Sequence, residues 1–224
     1  MAICLILIAF LRSATRLEAE KVGIVHMHGF WQAFDEQHHL DFKDFVEEKT
    51  GVKVHLIDAF NDLAMPPAES SITPLNVQVP KILTLVKNIA AQYDKIIAVG
   101  FSQGGVIWRA MIESWDDHNV DTFISIAAPQ SGQAGIPPKY LASLGNLPFV
   151  KMAQSQGKTM SEADMKVLPY DPRIQQVFAP SNYYRNPATY QLYLKTDFFP
   201  KLNNEIGNRK EKRKQKNNFE PMIC

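Results

Sequence analysis

The chain has 224 residues, of which 46% are hydrophobic, and its formal net charge at pH 7 is +1. This length and hydrophobic fraction suit one globular domain with a sizeable core. The near-zero net charge argues against a general nucleic-acid binder, so we expect no nucleic-acid partner.

Residues 1–19 have the pattern of a secretory signal peptide. An apolar run over residues 3–11 is followed by small residues, and it is too short to span a bilayer, so we expect no stable membrane span. No Lys or Arg precedes this run, and a buried N-terminal strand is the alternative interpretation. Cleavage after the small residues would remove Cys4, one of two cysteines, and leave no intrachain disulfide.

Beyond the signal, predicted strands alternate with predicted helices. The predicted strands are KVGIVHMHGF from Lys21, VKVHLIDAF from Val52, KIIAVGF from Lys95 and VDTFISIAAP from Val120. The predicted helices are DFKDFVEEKTG from Asp41, VPKILTLVKNIAAQY from Val79 with Leu83, Val86 and Ile89 or Ala90 facing inward, and GVIWRAMIESW from Gly105. This alternation indicates a mostly parallel sheet in an α/β domain.

The pattern changes between about residue 129 and residue 200. Prolines recur there and tyrosines cluster in YYRNPATYQLYL, but no core strand is evident. We predict a mostly helical insertion beside the sheet, within one domain over residues 20–224. The basic run 209–216 predicts a solvated helix or tail, because a nuclear-localisation signal would contradict the secretory signal.

One turn carries a candidate for chemistry. The segment Gly100-Phe101-Ser102-Gln103-Gly104 fits the pattern G-x-S-x-G, in which the serine lies on a sharp strand-to-helix turn. Glycines at both ends leave room for the neighbouring strand and helix. Because a predicted strand precedes the turn and an amphipathic helix follows it, we interpret Ser102 as a nucleophile rather than a structural turn serine.

Two backbone N–H groups are candidates for an oxyanion hole. The N–H of Gln103 lies at the N-terminal end of the predicted helix, where the helix dipole favours negative charge. The second donor normally comes from the loop after an early core strand, and VHMHGF supplies such a loop. Gly29 there permits close approach of the backbone, and Phe30 supplies the N–H.

These segments resemble the palmitoyl-protein thioesterases, lysosomal α/β-hydrolases that cleave long-chain acyl thioesters. The similarity lies in IVHMHGF, AVGFSQGGVIWRAMIE and DDHNVDTFISIAAPQSGQAGIP, covers about residues 22–210 and is closest to the type 2 branch. It implies an α/β-hydrolase fold, a lysosomal location, no cofactor, and an S-palmitoylated protein or acyl-CoA as substrate. By position, Ser102 matches the nucleophile, Phe30 and Gln103 match the oxyanion donors, and His28 matches a residue that shapes the loop. The region after Pro129 would line the acyl groove.

A serine nucleophile needs a base, and the order in this fold is Ser, then Asp or Glu, then His. The one histidine after Ser102 is His118, roughly 20 Å along the helix at about 1.5 Å per residue. In the resembled family the acid, the histidine and the last two core strands lie beyond Cys224. We therefore expect an incomplete hydrolase domain with an unpaired sheet edge, and negligible turnover by the chain as written.

The alternative function is that of a non-catalytic acyl-binding protein or an inactive isoform. If the protein is a serine hydrolase, a lipase or carboxylesterase remains open as the reaction class.

The five other histidines lie before the candidate turn, and two of them, His26 and His28, lie near the oxyanion loop. We expect His28 to be structural and hydrogen-bonded rather than catalytic, because triad histidines follow the serine in this fold. The pair His38 and His39 invites a metal interpretation. Adjacent residues on a helix point in different directions, so we predict a solvated loop and no metal site there. His55 alternates with apolar neighbours in a strand and is expected to be packed or surface-facing.

Overall fold

A computed structural model describes residues 20–57, 73–135, 166–206 and 222–223 of the chain. The predicted signal peptide, the basic run 209–216 and the middle of the predicted insertion, residues 136–165, lie outside the described residues.

The described chain forms a five-stranded sheet with the strand order β2-β1-β3-β4-β5, and every strand pair is parallel. Its strands and longer helices are β1 (Val22–Met27), α1 (Gln37–Thr50), β2 (Val54–Leu56), α2 (Leu75–Ala90), β3 (Lys95–Phe101), α3 (Gln103–Ser114), β4 (Val120–Ile126) and β5 (Met222–Ile223). Between β4 and β5, the described residues include the short helices α4 (Pro172–Gln175), α5 (Tyr190–Tyr193) and α6 (Phe199–Leu202) and the 3-10 turns Leu168–Tyr170, Ala179–Tyr183 and Pro187–Thr189. The predicted parallel α/β class is confirmed.

The core strands are buried on both faces, which explains their continuous apolar runs. Successive side chains of a strand point to opposite faces, so neighbours in β3 enter different cores. Ile96 and Ala98 join the core that contains α2 and α3, whereas Ile97 and Val99 join the core under α1. Helices α1 and α3 therefore cover opposite faces of the sheet.

Helix α2 begins at Leu75 rather than at the predicted Val79. Its backbone N–H at Leu75 donates to the Asn182 side-chain oxygen at 2.7 Å, a contact across 107 residues that no local pattern contains. The buried stripe of α2 is Leu75, Gln78, Val79, Ile82, Val86 and Ala90. Val86 and Ala90 face inward as predicted, Leu83 packs against the same core while partly buried, and Ile82 is buried in addition.

The edge of β4 is not wholly unpaired, contrary to the prediction from the missing strands. The C-terminal strand β5 pairs with it in parallel, joining Ile124 to Met222 and Ser125 to Ile223. These two residue pairs cover part of the edge that would otherwise expose backbone hydrogen-bonding groups. None of the described helices is both long and apolar enough to cross a membrane.

The segment 166–206 is mostly helical and packs on the face of the sheet that carries α3. Tyr183, Tyr193 and Phe199 are buried in the same core as Trp108 of α3. Packing of this segment explains why Tyr183 and Tyr193 are aromatic, because their side chains lie inside the protein.

Arg109 ties this segment to α3 and to the loop after β4. Its guanidinium donates to the Gln130 carbonyl at 2.9 Å, the Asn203 side-chain oxygen at 2.8 Å and the Leu202 carbonyl at 2.8 Å. The Nε–H group donates to Glu113 at 2.8 Å. One side chain thus bonds to three separate parts of the chain through the fixed fork of the guanidinium group.

Replacing Arg109 with Lys should lower the free energy of unfolding by about 1–2 kcal/mol, because an ammonium group keeps the charge but cannot reach all four acceptors. Urea unfolding of both proteins measures the difference. The matched control is Arg173→Lys, since Arg173 is exposed and, among the described residues, pairs only with Asp171, two residues away. Equal losses in the two variants would contradict this role of Arg109.

Candidate active site

The carboxyl ends of β1 and β3 lie side by side, with Met27 paired to Gly100. After these strands the chain turns to opposite faces of the sheet, into α1 and α3. Such a divergence opens a crevice at the carboxyl edge of a parallel sheet, where α/β proteins bind ligands. The predicted nucleophile turn and the predicted oxyanion loop both lie at this crevice.

Ser102 occupies a strained turn between β3 and α3. Its backbone has φ 52° and ψ −123°, a conformation that is costly for a residue with a side chain. Its N–H donates to the Ile126 carbonyl of β4 at 2.8 Å, and its side chain does not cap α3. The hydroxyl is therefore not used as a helix cap.

Backbone strain is concentrated at this edge of the sheet. Trp31 after β1 has φ 58°, and Ala127 after β4 has φ 50°. Together with Ser102, they are three of the four non-glycine residues of positive φ in the described ranges, and each lies within a few residues of a strand's carboxyl end; the fourth is Asn204. Strain of this kind persists where the surrounding structure imposes it, and it is typical of functional sites.

The two glycines of the turn permit close backbone contacts. A methyl group at Gly100 would lie 2.4 Å from the Gly105 Cα atom. A methyl group at Gly104 would lie 2.4 Å from the Met27 carbonyl oxygen and 2.5 Å from that of His28. Gly104 thus lets the start of α3 touch the loop after β1.

The loop after β1 approaches Ser102 directly. A methyl group at Gly29 would lie 3.0 Å from the Ser102 Cβ atom. The Gly29 N–H donates to the side-chain oxygen of Gln32 at 2.8 Å, which holds the loop in place. The Phe30 ring is buried and meets the ring of Phe178 edge-on, with centroids 5.7 Å apart.

Gln103, the other predicted oxyanion donor, is the first residue of α3. Its side chain is buried, and its oxygen accepts a hydrogen bond from the Tyr183 hydroxyl at 3.2 Å. Tyr183 belongs to the segment after β4. The position of the Gln103 backbone therefore depends on a residue 80 positions further along the chain.

Replacing Tyr183 with Phe should cost about 1 kcal/mol of stability, the usual net value of one buried hydrogen bond. The expected change is a lower urea midpoint with an unchanged far-UV circular dichroism spectrum. Tyr184→Phe serves as the control, because within the described ranges that hydroxyl takes part in one weaker bond, which it accepts from Asn186 at 3.3 Å. A Tyr183→Phe protein as stable as the parent would show that this bond contributes nothing.

Sequence reasoning missed a side chain behind the turn. The Gln130 amide donates to the Gly105 carbonyl at 3.0 Å and to the Ser125 hydroxyl at 2.9 Å. These bonds join the loop after β4 to the first turn of α3. The sequence signal for this contact was Gly105, the second glycine of the turn. A methyl group at Gly105 would lie 2.5 Å from the Ala128 Cβ atom, so the loop after β4 packs directly against it.

The prediction of a solvated loop at the histidine pair is wrong for His39, which is 2% exposed. Helix α1 begins at Gln37, four residues before the predicted start, and this places both histidines in its first turn. His39 faces β1, where its Nδ1 lies 2.9 Å from Nε2 of His26. His38 stays half-exposed at the surface.

Burial keeps this pair of histidines neutral. Desolvation, with the neighbouring histidines, lowers the pKa of His26 to about 4 and the pKa of His39 to about 3. His28 is also buried, and its Nδ1–H donates to the Gly29 carbonyl at 2.9 Å. His28 therefore lies in the loop beside Ser102, bonded to its backbone.

The two remaining histidines lie away from the turn. His55 is partly buried and its Nε2 lies 2.7 Å from the Tyr93 hydroxyl. Burial lowers the pKa of His118, which lies beyond Ser114 at the far end of α3. Twelve helical residues span about 18 Å, so the only histidine that follows Ser102 in the described ranges is out of reach of its hydroxyl.

A parallel sheet with a strained serine at a strand-to-helix turn defines the α/β-hydrolase class. The family model described as palmitoyl protein thioesterase matches residues 23–222. The chain belongs to this family and has the α/β-hydrolase fold.

Curated relatives are named as lysosomal thioesterases. The chain is 38% identical over 113 residues to the lysosomal thioesterase PPT2 homolog of Drosophila melanogaster, a match that covers 50% of this chain and 34% of the relative. It is 30% identical to PPT2-B of Xenopus laevis, with coverages of 70% and 48%, and 30% identical to PPT2 of Homo sapiens, with coverages of 81% and 53%. The chain thus spans about half the length of the curated relatives it matches, or less.

Solved structures match more distantly. A lipase-esterase related protein from Clostridium acetobutylicum aligns over 92% of this chain and 86% of its own, with 10% sequence identity and a TM-score of 0.45. The fold assignment rests on the family match and on the sheet order.

Proposed function

We propose that Ser102 is the nucleophile of a serine thioesterase that cleaves long-chain acyl thioesters, palmitoyl thioesters above all. The observation that carries the proposal is the strained backbone of Ser102 at φ 52°, with the Gly29 loop against its side chain. Membership in the palmitoyl protein thioesterase family supports the reaction class. The names of the curated relatives support a lysosomal location.

The reaction would proceed in two steps. The Ser102 hydroxyl oxygen attacks the thioester carbonyl carbon while a base takes the hydroxyl proton. The carbonyl oxygen becomes an oxyanion that accepts hydrogen bonds from the N–H groups of Phe30 and Gln103. The C–S bond then breaks, the thiol leaves with the proton, and an acyl ester remains on Ser102. Water next attacks that ester and releases the fatty acid. The base and its acidic partner come from outside the described residues.

Apolar side chains beside the oxyanion loop suit an acyl chain. Phe30 and Phe178 are in contact there, and their chain neighbours Trp31 and Val177 are 43% and 38% exposed. Phe178 belongs to the region that was expected to line the groove. Apolar contact of this kind favours long acyl chains, since each buried CH₂ contributes about 0.8 kcal/mol. S-palmitoylated proteins and acyl-CoA both carry such a chain on sulfur.

The test is hydrolysis of palmitoyl-CoA by the protein purified from its natural source, with the released thiol measured. Acetyl-CoA and a palmitoyl oxyester are the comparison substrates. We expect the palmitoyl thioester to react faster than both. Faster reaction of the oxyester would indicate a lipase or carboxylesterase instead. Binding of palmitoyl-CoA without thiol release would favour the non-catalytic acyl-binding function.

A further inference from the structure

Three potential metal ligands meet at the start of α1. One carboxylate oxygen of Glu36 and one ring nitrogen each of His38 and His39 lie within 4.8 Å of one another. His38 Nδ1 is 3.6 Å from a carboxylate oxygen of Glu36, and the ring centroids of His38 and His39 are 3.9 Å apart. Two imidazoles and one carboxylate form a ligand set that zinc uses in proteins.

Adjacent positions on a helix would normally keep two side chains apart. Here the ring of His38 leans over that of His39, and the short separation of the ring centroids shows it. Tetrahedral coordination at about 2.0–2.1 Å brings ligand atoms to about 3.4 Å from one another. Glu36 and His38 are both partly exposed, so rotation of these two side chains can close the remaining distance.

One ring nitrogen of His39 is available to a metal ion. Its ring is buried, its Nδ1 bonds to His26, and its Nε2 has no hydrogen-bond partner in the described part of the chain. An unpartnered buried nitrogen is costly unless something binds it. A metal-bound histidine typically donates its other ring N–H to a fixed acceptor, and His26 Nε2 is placed to accept it.

We propose that Glu36, His38 and His39 bind one Zn²⁺ ion, with His26 as the partner that fixes the ring of His39. The three ligands leave a fourth position for water. Nitrogen-rich ligands favour zinc over magnesium and calcium, which prefer oxygen.

Binding of the ion would act on the loop that carries Gly29. The Gln32 amide joins the two sites, because its oxygen accepts from the Gly29 N–H at 2.8 Å and its nitrogen lies 3.0 Å from His38 Nε2. The amide nitrogen therefore donates, and His38 Nε2 accepts, with the His38 proton on Nδ1 facing Glu36. When zinc binds Nδ1 of His38, the neutral ring carries its proton on Nε2, where it faces the N–H of the Gln32 amide.

Because two N–H groups cannot bond to each other, the Gln32 amide must reorient away from His38. The Gly29 N–H then loses the Gln32 oxygen as its acceptor. We expect zinc to loosen the loop beside Ser102. If Phe30 helps to bind the oxyanion, as in the proposed function, zinc is an inhibitor; this last step alone rests on that function.

The test is calorimetric titration of the full chain with ZnCl₂, for which no thioester is needed. We expect one tight site that excess Mg²⁺ does not displace. Glu36→Gln and His38→Gln should each weaken binding at least tenfold, because each removes one ligand while keeping the size and polarity of the side chain. His55→Gln is the matched control and should bind as the parent does. Unchanged affinity in the Glu36 and His38 variants, or no binding by the parent, would overturn the proposal.

Amide hydrogen exchange tests the link to the loop. Zinc should speed exchange at the Gly29 N–H in the parent and leave it unchanged in His38→Gln. Tight zinc binding with an unchanged exchange rate at the Gly29 N–H would support the metal site but refute its effect on the loop. Neither readout depends on thioester hydrolysis, so the zinc site can fail or stand independently of the proposed enzymatic activity.

Discussion

Replacing Ser102 with Ala should lower the rate of palmitoyl thioester hydrolysis by the natural protein about 10⁶-fold, the loss seen when a serine nucleophile is removed from its triad. Without the hydroxyl no acyl-enzyme forms, and the base has no proton to take. Residual catalysis would come from the oxyanion donors and from substrate binding. Thiol release under saturating substrate measures the loss.

The control for this variant lies at the other end of the same helix. Ser114→Ala makes the same chemical change at the last residue of α3, where the hydroxyl donates to the carbonyls of Ala110 and Met111 of the same helix. Its activity should match that of the parent. Comparable losses in both variants, or substantial activity in Ser102→Ala, would remove Ser102 from the mechanism.

Replacing Gly100 with Ala should destabilise the fold by about 3 kcal/mol or more, beyond the usual cost of an added methyl group in a well-packed core. The new methyl carbon would lie 2.4 Å from the Gly105 Cα atom and 2.6 Å from the Gly105 nitrogen. Both are backbone atoms, so relief requires α3 to move away from β3. Urea unfolding and soluble yield are the measurements.

Gly51→Ala separates crowding from loss of glycine as such. Gly51 ends α1 with φ 69°, and a methyl group there would meet no atom within 4 Å. Its replacement should therefore cost only the left-handed conformation, about 1–2 kcal/mol. If Gly51→Ala proves as damaging as Gly100→Ala, the close contact of strand and helix is not what requires Gly100.

Local patterns were sufficient for the central part of the fold. The run KIIAVGF predicted β3 with its observed bounds, Lys95–Phe101, because a strand buried on both faces is apolar along its whole length. The spacing of Gly100 and Gly104 around Ser102 likewise encodes a turn in which strand and helix touch. Such features depend on residues a few positions apart, and the sequence displays them directly.

Other boundaries depend on distant contacts and could not be predicted this way. Helix α2 gains its first turn where Asn182 bonds to the N–H of Leu75. Strand β5 pairs with β4 from almost a hundred residues further on. Hydrophobic periodicity contains no information about such contacts.

In the candidate site, too, local residues could be predicted from the sequence and distant partners could not. Ser102 and the adjacent turn were identified from five residues, but the partners that hold the site were not. Gln32 and Tyr183 are recognisable only once the fold brings them to Gly29 and Gln103. The histidine pair shows the opposite error, because the predicted solvated loop did not anticipate that His39 lies on a helix and is buried against His26.

The most direct test of the central claim is to locate the acyl group during turnover. The natural protein is mixed with palmitoyl-CoA and quenched in acid, and its proteolytic peptides are analysed by mass spectrometry. We predict a palmitoyl group on Ser102 in the parent protein and none in Ser102→Ala. A palmitoyl group on another residue, or release of fatty acid while Ser102 is never acylated, would contradict the account.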